Sequence, residues 1–368
     1  MRICLYNLTA GFKAGGLETF TWGLAEALLR LGHEVEVVAG EGGRASPSEA
    51  IRLVQFGYRS RDRFPDLGTR FRKMAERLSF ARNAYSYVRN GQFDAVLINK
   101  PYDFPVLWQL KRSGYSAVTC YNSGGTEFYL GDRWLSRAVD LWLPCSEHNA
   151  MKIRAHYGCA CTVLNNGVDT KRFSPHGERI DLRRDYSMPD DATVIMSVGR
   201  LIGQKGGHVV IEAIRDQPKL HFLVVGDGPE RKRLEDLAHS LAIQDRVHFA
   251  GEVGHGDLPA LLRGADIFVQ ASVGEEAFGI SVAEAMACGL PVLASDGWGL
   301  REVVADGETG MLVTPGQADA WGRALCSVSE NPALADRMGR AGRERVVALF
   351  TWLQAARTFE QAVQKIRT

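Results

Sequence analysis

Short apolar runs alternate with longer helical patterns along all 368 residues, and halfway along the chain this alternation starts again. In the first half the strand-like runs lie near residues 3–8, 34–39, 95–98, 117–121, 141–144 and 162–164. In the second half they lie near residues 194–198, 221–225, 247–249, 267–270, 292–294 and 311–313. Strands that alternate with helices form parallel sheets covered by helices on both faces. The sequence therefore predicts an α/β protein with two doubly wound, Rossmann-like domains in tandem.

A cluster of turn-forming residues marks the boundary between the two domains. Asn165-Asn166-Gly167-Val168-Asp169 has no apolar period, so we place the first domain at residues 1–170 and the second at 171–350. The last helical run follows the complete second sheet, and we assign residues 351–368 to a terminal helix that can pack on either domain, including back on the first. Ligands of such folds bind beyond the carboxyl ends of the strands, and we expect the two sets of strand ends to face each other across a cleft.

Composition excludes several classes of protein. Hydrophobic residues make up 45% and charged residues 24%, which is typical of a folded globular chain. No apolar stretch is long enough to span a bilayer, and the first residues read as a strand rather than a leader, so we expect a cytoplasmic protein. Seven cysteines without paired CxxC spacing are expected to be buried thiols, and Cys159-Ala160-Cys161 is too tight for the usual zinc spacing.

The overall charge argues against a nucleic-acid partner, but one segment is strongly basic. The chain carries 44 basic and 43 acidic residues, a net charge of +1. Between Arg59 and Arg89, however, nine basic residues accompany three acidic ones, and this segment includes a predicted helix at about residues 67–88. Aromatic and apolar residues among these arginines suit a helix that lies on an anionic membrane surface. A solvated helix face remains the alternative.

Two glycines follow the first predicted strand and precede a helix. Gly15 and Gly16 would let backbone N–H groups approach an anion at the helix N-terminus. The spacing matches neither GxGxxG nor GxxxxGK[ST], so it indicates neither a dinucleotide site nor a P-loop. A simple tight turn is the alternative.

The first strand of the second half ends in a glycine-rich turn that contains two cations. Arg200 and Lys205 lie between Gly199 and Gly206, at the carboxyl end of a strand. A fork-shaped guanidinium and a compact ammonium can together hold a diphosphate. The alternative is a solvated turn.

Two carboxylates flank a predicted helix start in the second half. Glu276 precedes Gly279, and Glu284 follows eight residues after Glu276 within an apolar helix. A carboxylate is suited to two ribose hydroxyls, and a helix N-terminus is suited to the adjoining phosphates. The alternatives are a helix cap for Glu276 and a favourable helix-dipole position for Glu284.

These motifs together resemble glycosyltransferase family 4, whose members are retaining enzymes of the GT-B fold. The resemblance covers nearly the whole chain. It is carried in order by Gly15-Gly16, Asn166-Gly167-Val168-Asp169, Gly199-Arg200-Leu201 with Gln204-Lys205-Gly206, Val225-Gly226-Asp227-Gly228-Pro229, Glu276-x7-Glu284 and Gly289-x-Pro291-Val292.

The resemblance implies a nucleotide-diphosphate sugar as donor, bound by the second domain, and an acceptor bound by the first. Arg200 and Lys205 would grip the diphosphate beside Gly199, Glu276 would hold donor-sugar hydroxyls, and Glu284 would hold the ribose. The amides of Phe278, Gly279 and Ile280 would meet the sugar or phosphates, and Gly15 and Gly16 would close over them. The implied reaction is a retaining, metal-independent hexosyl transfer by front-face attack, without a side-chain nucleophile or a cofactor. The implied acceptor is a cell-envelope glycan or glycolipid.

The chain departs from the family where many members have a histidine, just after the strand at about residues 117–121. No histidine occurs in that loop, and we expect Asn122 or a neighbour to take over its contact with the donor sugar. The remaining histidines do not cluster along the sequence. A non-hydrolysing nucleotide-sugar epimerase and a non-catalytic nucleotide-sugar binder stay open as alternatives.

Overall fold

A computed structural model describes residues 1–13, 15–43 and 45–367, which leaves Ala14, Arg44 and Thr368 outside the described residues. The strands are β1 (Arg2–Tyr6), β2 (Glu34–Gly40), β3 (Arg52–Phe56), β4 (Ala95–Ile98), β5 (Val118–Ser123), β6 (Leu141–Pro144), β7 (Thr193–Val198), β8 (Leu220–Val225), β9 (Val247–Gly251), β10 (Ile267–Gln270), β11 (Val292–Ser295) and β12 (Met311–Val313). The α-helices are α1 (Gly16–Arg30), α2 (Thr69–Asn90), α3 (Phe104–Arg112), α4 (Asp132–Leu135), α5 (Glu147–Tyr157), α6 (Leu182–Asp185), α7 (Gly207–Ala213), α8 (Arg231–Ser240), α9 (Leu258–Gly264), α10 (Ile280–Ala287), α11 (Leu300–Val303), α12 (Ala318–Ser329), α13 (Pro332–Leu349) and α14 (Trp352–Arg367).

The strands form two parallel six-stranded sheets with the same internal order. The first sheet runs β3-β2-β1-β4-β5-β6, and the second runs β12-β11-β10-β7-β8-β9, which is the first order read from the other edge. Both have the doubly wound Rossmann order. In this order successive strands are added first toward one edge of the sheet and then toward the other, and the switch point lies between the first and fourth strands. The predicted α/β class with two such sheets is confirmed, and the switch point of the second sheet lies between β7 and β10.

The chain divides into two units, residues 1–167 with 352–368 and residues 168–351. The sequence placed this boundary three residues later. The chain enters and leaves the second unit at neighbouring positions, because the N–H of Val168 donates to the carbonyl of Phe350 over 2.8 Å and Val168 forms a bridge with Thr351.

The core of the first unit lies on both faces of its sheet. Ile3 and Leu5 of β1 pack on one face with α1 and α14, whereas Cys4 and Tyr6 pack on the other with α2, α3 and α5. This division follows from the alternation of side chains along a strand.

The terminal helix α14 completes the first of these two faces. Its Phe359 and Val363 are fully buried, and the Trp352 ring meets the Phe20 ring at 6.0 Å. A Cβ at Gly23 of α1 would lie 2.2 Å from the Trp352 ring, so only glycine admits this close approach.

One predicted strand of the first sheet does not form, and one strand was not predicted. Residues 162–164 do not form a strand of the sheet, although Thr162 and Leu164 donate to the carbonyls of Trp142 and Pro144. The strand that completes the first sheet is instead β3, at its edge. Its residues are mostly half-buried, and its apolar run is too short to predict a strand from the sequence.

The prediction of buried thiols holds only in part. Cys4, Cys120, Cys145 and Cys288 are buried, but Cys159, Cys161 and Cys326 are partly exposed because they lie in a loop or on the outer side of a helix. None of the described helices is long and apolar enough to cross a membrane.

Candidate active site

The turn after β7 carries the two predicted cations. It includes a short 3-10 helix at Gly203–Lys205 and ends at Gly206, which has the left-handed φ of +67°. A Cβ at Gly206 would lie 1.8 Å from the carbonyl oxygen of Ala271, directly after β10. Glycine at this position therefore lets the turn pack against the end of the neighbouring strand.

The loop after β10 brings Glu276 to this turn. The N–H of Val273 donates to the carbonyl of Gln204 over 2.8 Å, which ties the two loops together. Lys205 Nζ then lies 2.6 Å from Glu276 Oε2, and both side chains are partly exposed. The structure thus joins two predicted site residues, 71 positions apart in sequence, at the switch point of the sheet.

A chain of polar side chains that the sequence analysis missed supports Glu276. Gln270 at the end of β10 donates from Nε2 to Ser272 Oγ over 2.8 Å, and Ser272 Oγ lies 3.4 Å from Glu276 Oε2. Ser281 Oγ donates to Gln270 Oε1 over 3.3 Å, which links the network to α10. Gln270 and Ser272 are buried, so their position at a strand end was the available signal.

Arg200 is exposed in the same turn. Within the described residues, its guanidinium forms no hydrogen bond or ion pair, unlike the ammonium of Lys205. This group is therefore open to an anionic ligand, and a guanidinium suits phosphate oxygens in particular.

Helix α10 starts beside this cluster. Gly279 is its N-cap, with a left-handed φ of +96°, and Ile280 is its first residue. Backbone N–H groups at a helix start lack helical partners and attract anions. Phe278 is buried and its ring meets Phe350 at 5.4 Å, so its backbone rather than its ring is available to a ligand.

Glu284 lies one turn further into α10 and is buried. Its Oε1 is 2.7 Å from Nε2 of His255, which stands in the loop between β9 and α9. His255 was not among the residues that the sequence singled out. The exposed fraction of the Glu284 side chain is 6%, against 39% for His255.

Gly15 and Gly16 lie exposed at the start of α1 in the first unit. Both glycines were expected to precede the helix; Gly15 is its N-cap, and Gly16 is its first residue. The carboxylate of Glu18 stands in the first turn of this helix and pairs with the Thr9 hydroxyl. Glu18 is a buried acidic group at the same helix start that the sequence analysis did not single out.

Asn122 does not stand in a loop, contrary to expectation. It lies within β5 and is buried, with Nδ2 donating to the Leu143 carbonyl over 2.8 Å. Its Oδ1 accepts from Asn99 Nδ2 over 3.1 Å. Both ends of the amide therefore serve the first sheet, and we do not carry Asn122 into the candidate site.

Two histidines that are far apart in the sequence lie side by side in the structure. His221 of β8 and His248 of β9 lie on adjacent strands, with Nδ1 of His221 3.2 Å from Nε2 of His248. Strand pairing brings together residues that are 27 positions apart, which linear spacing does not reveal.

Two family models match the chain. Residues 178–345 match the family described as Glycosyl transferases group 1, and residues 14–172 match Glycosyltransferase Family 4. Each match falls largely on one of the two units.

Curated relatives carry glycosyltransferase names. A glycogen synthase of Mycobacterium tuberculosis is 30% identical over 271 residues, which cover 71% of this chain and 63% of the relative. The lipopolysaccharide core biosynthesis glycosyltransferase LpsE of Rhizobium meliloti is 35% identical over 46% of this chain and 49% of its own. A GDP-mannose-dependent alpha-(1-6)-phosphatidylinositol monomannoside mannosyltransferase of Mycolicibacterium smegmatis is 34% identical over 60% of this chain and 61% of its own. The matches thus span about half to two thirds of the length of these relatives.

Solved structures share the fold over almost the whole chain. A sucrose-phosphate synthase from Thermosynechococcus elongatus has a TM-score of 0.83 at 25% identity and covers 99% of this chain and 98% of its own. The Anabaena protein HepE, solved with UDP-glucose, has a TM-score of 0.81 at 20% identity and covers 99% and 100%. The two family models together identify the chain as a member of glycosyltransferase family 4, and the solved structures show that it has the GT-B fold.

Proposed function

We propose that the protein transfers a hexose from a nucleotide-diphosphate sugar to a cell-envelope glycan or glycolipid, with retention at the anomeric carbon. The observation that carries this proposal is the pairing of Lys205 with Glu276 at the switch point of the second sheet, beside Arg200 and the start of α10. In our proposal these cations, the N–H groups at the helix start and the carboxylate act on the same bound donor. Curated relatives in lipopolysaccharide and phosphatidylinositol mannoside synthesis support the envelope acceptor.

The chemistry requires that negative charge on the departing diphosphate be stabilised as the anomeric bond breaks. In our proposal Lys205 and Arg200 stabilise that negative charge, together with the N–H groups around Gly279 and Ile280. Glu276 holds hydroxyls of the donor sugar and, through its ion pair, fixes the Lys205 ammonium. Because protein cations supply the positive charge, we propose that no divalent metal is needed. Attack from the leaving-group side gives retention without a nucleophilic side chain.

Replacing Lys205 tests the core of the proposal. We expect Lys205→Ala to lower kcat/KM by about 10²–10³-fold, the usual effect of removing one preorganised donor to developing charge. Lys232→Ala is the matched control, because Lys232 is an 80% exposed lysine of the same unit in an ion pair with Asp236. Near wild-type turnover of Lys205→Ala, with the control also unchanged, contradicts the assignment.

A panel of labelled nucleotide sugars separates the alternatives and identifies the donor. Transfer to an acceptor, or slow hydrolysis in its absence, supports the proposal. Epimerisation of the sugar identifies an epimerase, and tight binding without turnover identifies a non-catalytic binder. The same assay in EDTA tests metal independence, which fails if activity vanishes and returns with Mg²⁺ or Mn²⁺.

The surface of α2 supports an acceptor that is anchored in a membrane. Phe80 and Val88 point into the core, so the exposed apolar side chains of this region are Leu67, Phe71 and Leu78. Phe71 and Leu78 are seven residues apart and therefore lie on one face of α2, whereas Leu67 lies just before the start of the helix. Together with the exposed basic residues Arg70 and Arg82, they form what we call the α2 surface.

Several of the basic residues near this helix are already paired. Glu76 pairs with Arg61, and Asp103 pairs with the buried Arg77, whereas Arg70 and Arg82 remain exposed. Exposed cations beside exposed apolar side chains match an anionic bilayer, which offers both negative headgroups and an apolar interior. We propose that the α2 surface meets such a bilayer and brings the active site to a lipid-linked acceptor.

Liposome flotation tests this contact. We expect the protein to float with phosphatidylglycerol-containing vesicles and to remain at the bottom with neutral phosphatidylcholine vesicles. Phe71→Glu with Arg70→Glu is expected to abolish flotation, whereas Arg233→Glu, an exposed arginine on α8, is the control. Equal partition of the wild type between the two lipids contradicts the proposal.

A further inference from the structure

Glu284 has one side-chain partner in the part of the chain that the structure describes. This partner is His255, whose Nε2 lies 2.7 Å from Glu284 Oε1. Since a carboxylate oxygen only accepts, Nε2 carries the hydrogen, and the contact forms with the neutral imidazole as well as with the protonated one. A buried carboxylate without such a donor would lose its hydration uncompensated.

The position of His255 is fixed by its surroundings. Its ring lies 5.2 Å from the ring of the buried Phe173, at an interplanar angle of 48°. The loop that carries it follows β9 and precedes α9, whereas Glu284 belongs to α10. The hydrogen bond therefore joins two separate elements of the second unit and restrains the rotation of the Glu284 carboxylate.

We propose that His255 is a positioning residue that orients Glu284 toward both ribose hydroxyls of the donor nucleotide, and thereby sets the preference of this site for ribonucleotides over 2′-deoxyribonucleotides. This inference rests on the proposed function, because it requires a nucleoside diphosphate beside α10.

The geometry leaves the acceptor capacity that a ribose needs. A carboxylate offers about four lone-pair positions, and His255 occupies one of them on Oε1. The remaining positions on Oε1 and on Oε2 suit two neighbouring hydroxyl donors. A carboxylate that can rotate would lose torsional freedom when it binds a diol, whereas one held by His255 has lost it already. Without His255, a single hydroxyl can still satisfy the reoriented carboxylate, so the penalty for a missing 2′-hydroxyl becomes smaller.

The test compares ribo- and deoxyribonucleotide binding in the full-length protein. Calorimetry with UDP, GDP and ADP identifies the nucleotide that binds, and the same nucleotide without its 2′-hydroxyl then gives the ratio of dissociation constants. We expect this ratio to be about 10-fold or more in the wild type, since hydrogen bonds to charged groups are worth about 1.5–3 kcal/mol. In His255→Ala we expect about 3-fold or less, with partial recovery in His255→Gln, which keeps a donor.

Two further variants complete the design. His239→Gln alters an exposed histidine at the end of α8 and is expected to keep the wild-type ratio. Glu284→Ala is expected to remove the discrimination, and His255→Ala should have no further effect on the ratio in that background. Thermal unfolding of each variant verifies that it folds, and His255→Gln carries the test if His255→Ala does not.

The possible results distinguish this inference from the proposed function. If wild-type protein binds none of the three nucleoside diphosphates, the proposed function fails and the inference fails with it. If Glu284→Ala lowers the ratio but both His255 variants retain it, the ribose contact stands and the role of His255 is refuted. Equal weakening of both nucleotides in the His255 variants, with an unchanged ratio, also refutes it and assigns His255 to packing alone.

Discussion

The close approach of Gly206 to the end of β10 gives a quantitative prediction about how the site is built. Gly206 and Gly307 both lie in the second unit and have nearly the same left-handed φ, +67° and +73°. A Cβ at Gly206 would lie 1.8 Å from the Ala271 carbonyl oxygen, whereas a Cβ at Gly307 meets nothing within 4 Å. Replacement of each by alanine therefore separates the cost of the backbone conformation from the cost of the contact.

Gly307→Ala should lower the free energy of unfolding by about 1–2 kcal/mol, the usual cost of a left-handed conformation for an L-residue. Gly206→Ala carries the same cost and must also move the turn away from Ala271 until the Cβ is at least 3.0 Å from the oxygen. Overpacking of this kind adds about 1–3 kcal/mol, so we expect a total of about 2–5 kcal/mol. This movement of more than 1 Å displaces the neighbouring Lys205. We expect that displacement to lower kcat/KM by roughly 10²-fold.

Urea unfolding followed by circular dichroism measures the first quantity for both variants, and both report on the same unit. Turnover measured where each variant is folded gives the second. Equal destabilisation by the two substitutions, or a Gly206→Ala enzyme with normal kcat/KM, refutes the reasoning that this contact positions Lys205.

Two further predictions concern stability. Burial lowers the pKa of His248 to about 4 and also lowers that of His221, so between the unfolded value of about 6.5 and about 4 the unfolded chain binds protons that the native chain does not. The stability contributed by this neutral pair is therefore complete above about pH 6.5 and is lost as the pH falls toward 4. We expect the urea midpoint of His248→Phe to fall less between pH 7.5 and 5 than that of the wild type. An equal fall in both proteins counts against this cause. Phe359→Ala in α14 should lower the free energy of unfolding of the first unit by about 3–5 kcal/mol, because a fully buried ring is lost. Gln364→Ala, on the exposed side of the same helix, is the control and should change this free energy little. Chemical denaturation of both variants measures the difference.

Much of the fold was predictable because buried parallel strands are short apolar runs. β4, β6, β10 and β12 lie at the predicted positions. The strand β3 was missed because an edge strand is only half buried, and its sequence alternates too briefly to be distinguished from a loop. The run at residues 162–164 was misleading because it is largely apolar, yet it forms two hydrogen bonds beside β6 without becoming a strand.

The residues of the candidate site were likewise predicted in part and missed in part. Lys205 and Glu276 were found because both follow strands whose carboxyl ends meet at one edge of a parallel sheet. His255 was missed because its contact with Glu284 joins a loop to a helix across 29 residues, and no spacing rule describes such a pair. Asn122 was misplaced by a difference of two residues in the end of β5, which moved it from a loop into a buried strand.

The position of α14 in the first unit has a consequence for the order in which the protein forms during synthesis. Residues 168–351 form the second unit as an insertion, with its first and last residues paired. The ribosome therefore completes the second unit while the first still lacks Phe359 and Val363, and the apolar side of α1 stays uncovered until α14 emerges. A chain that stops short of residue 352 would retain a whole second unit and an unfinished first one, so quality control by chaperones and proteases would act mainly on the amino-terminal half.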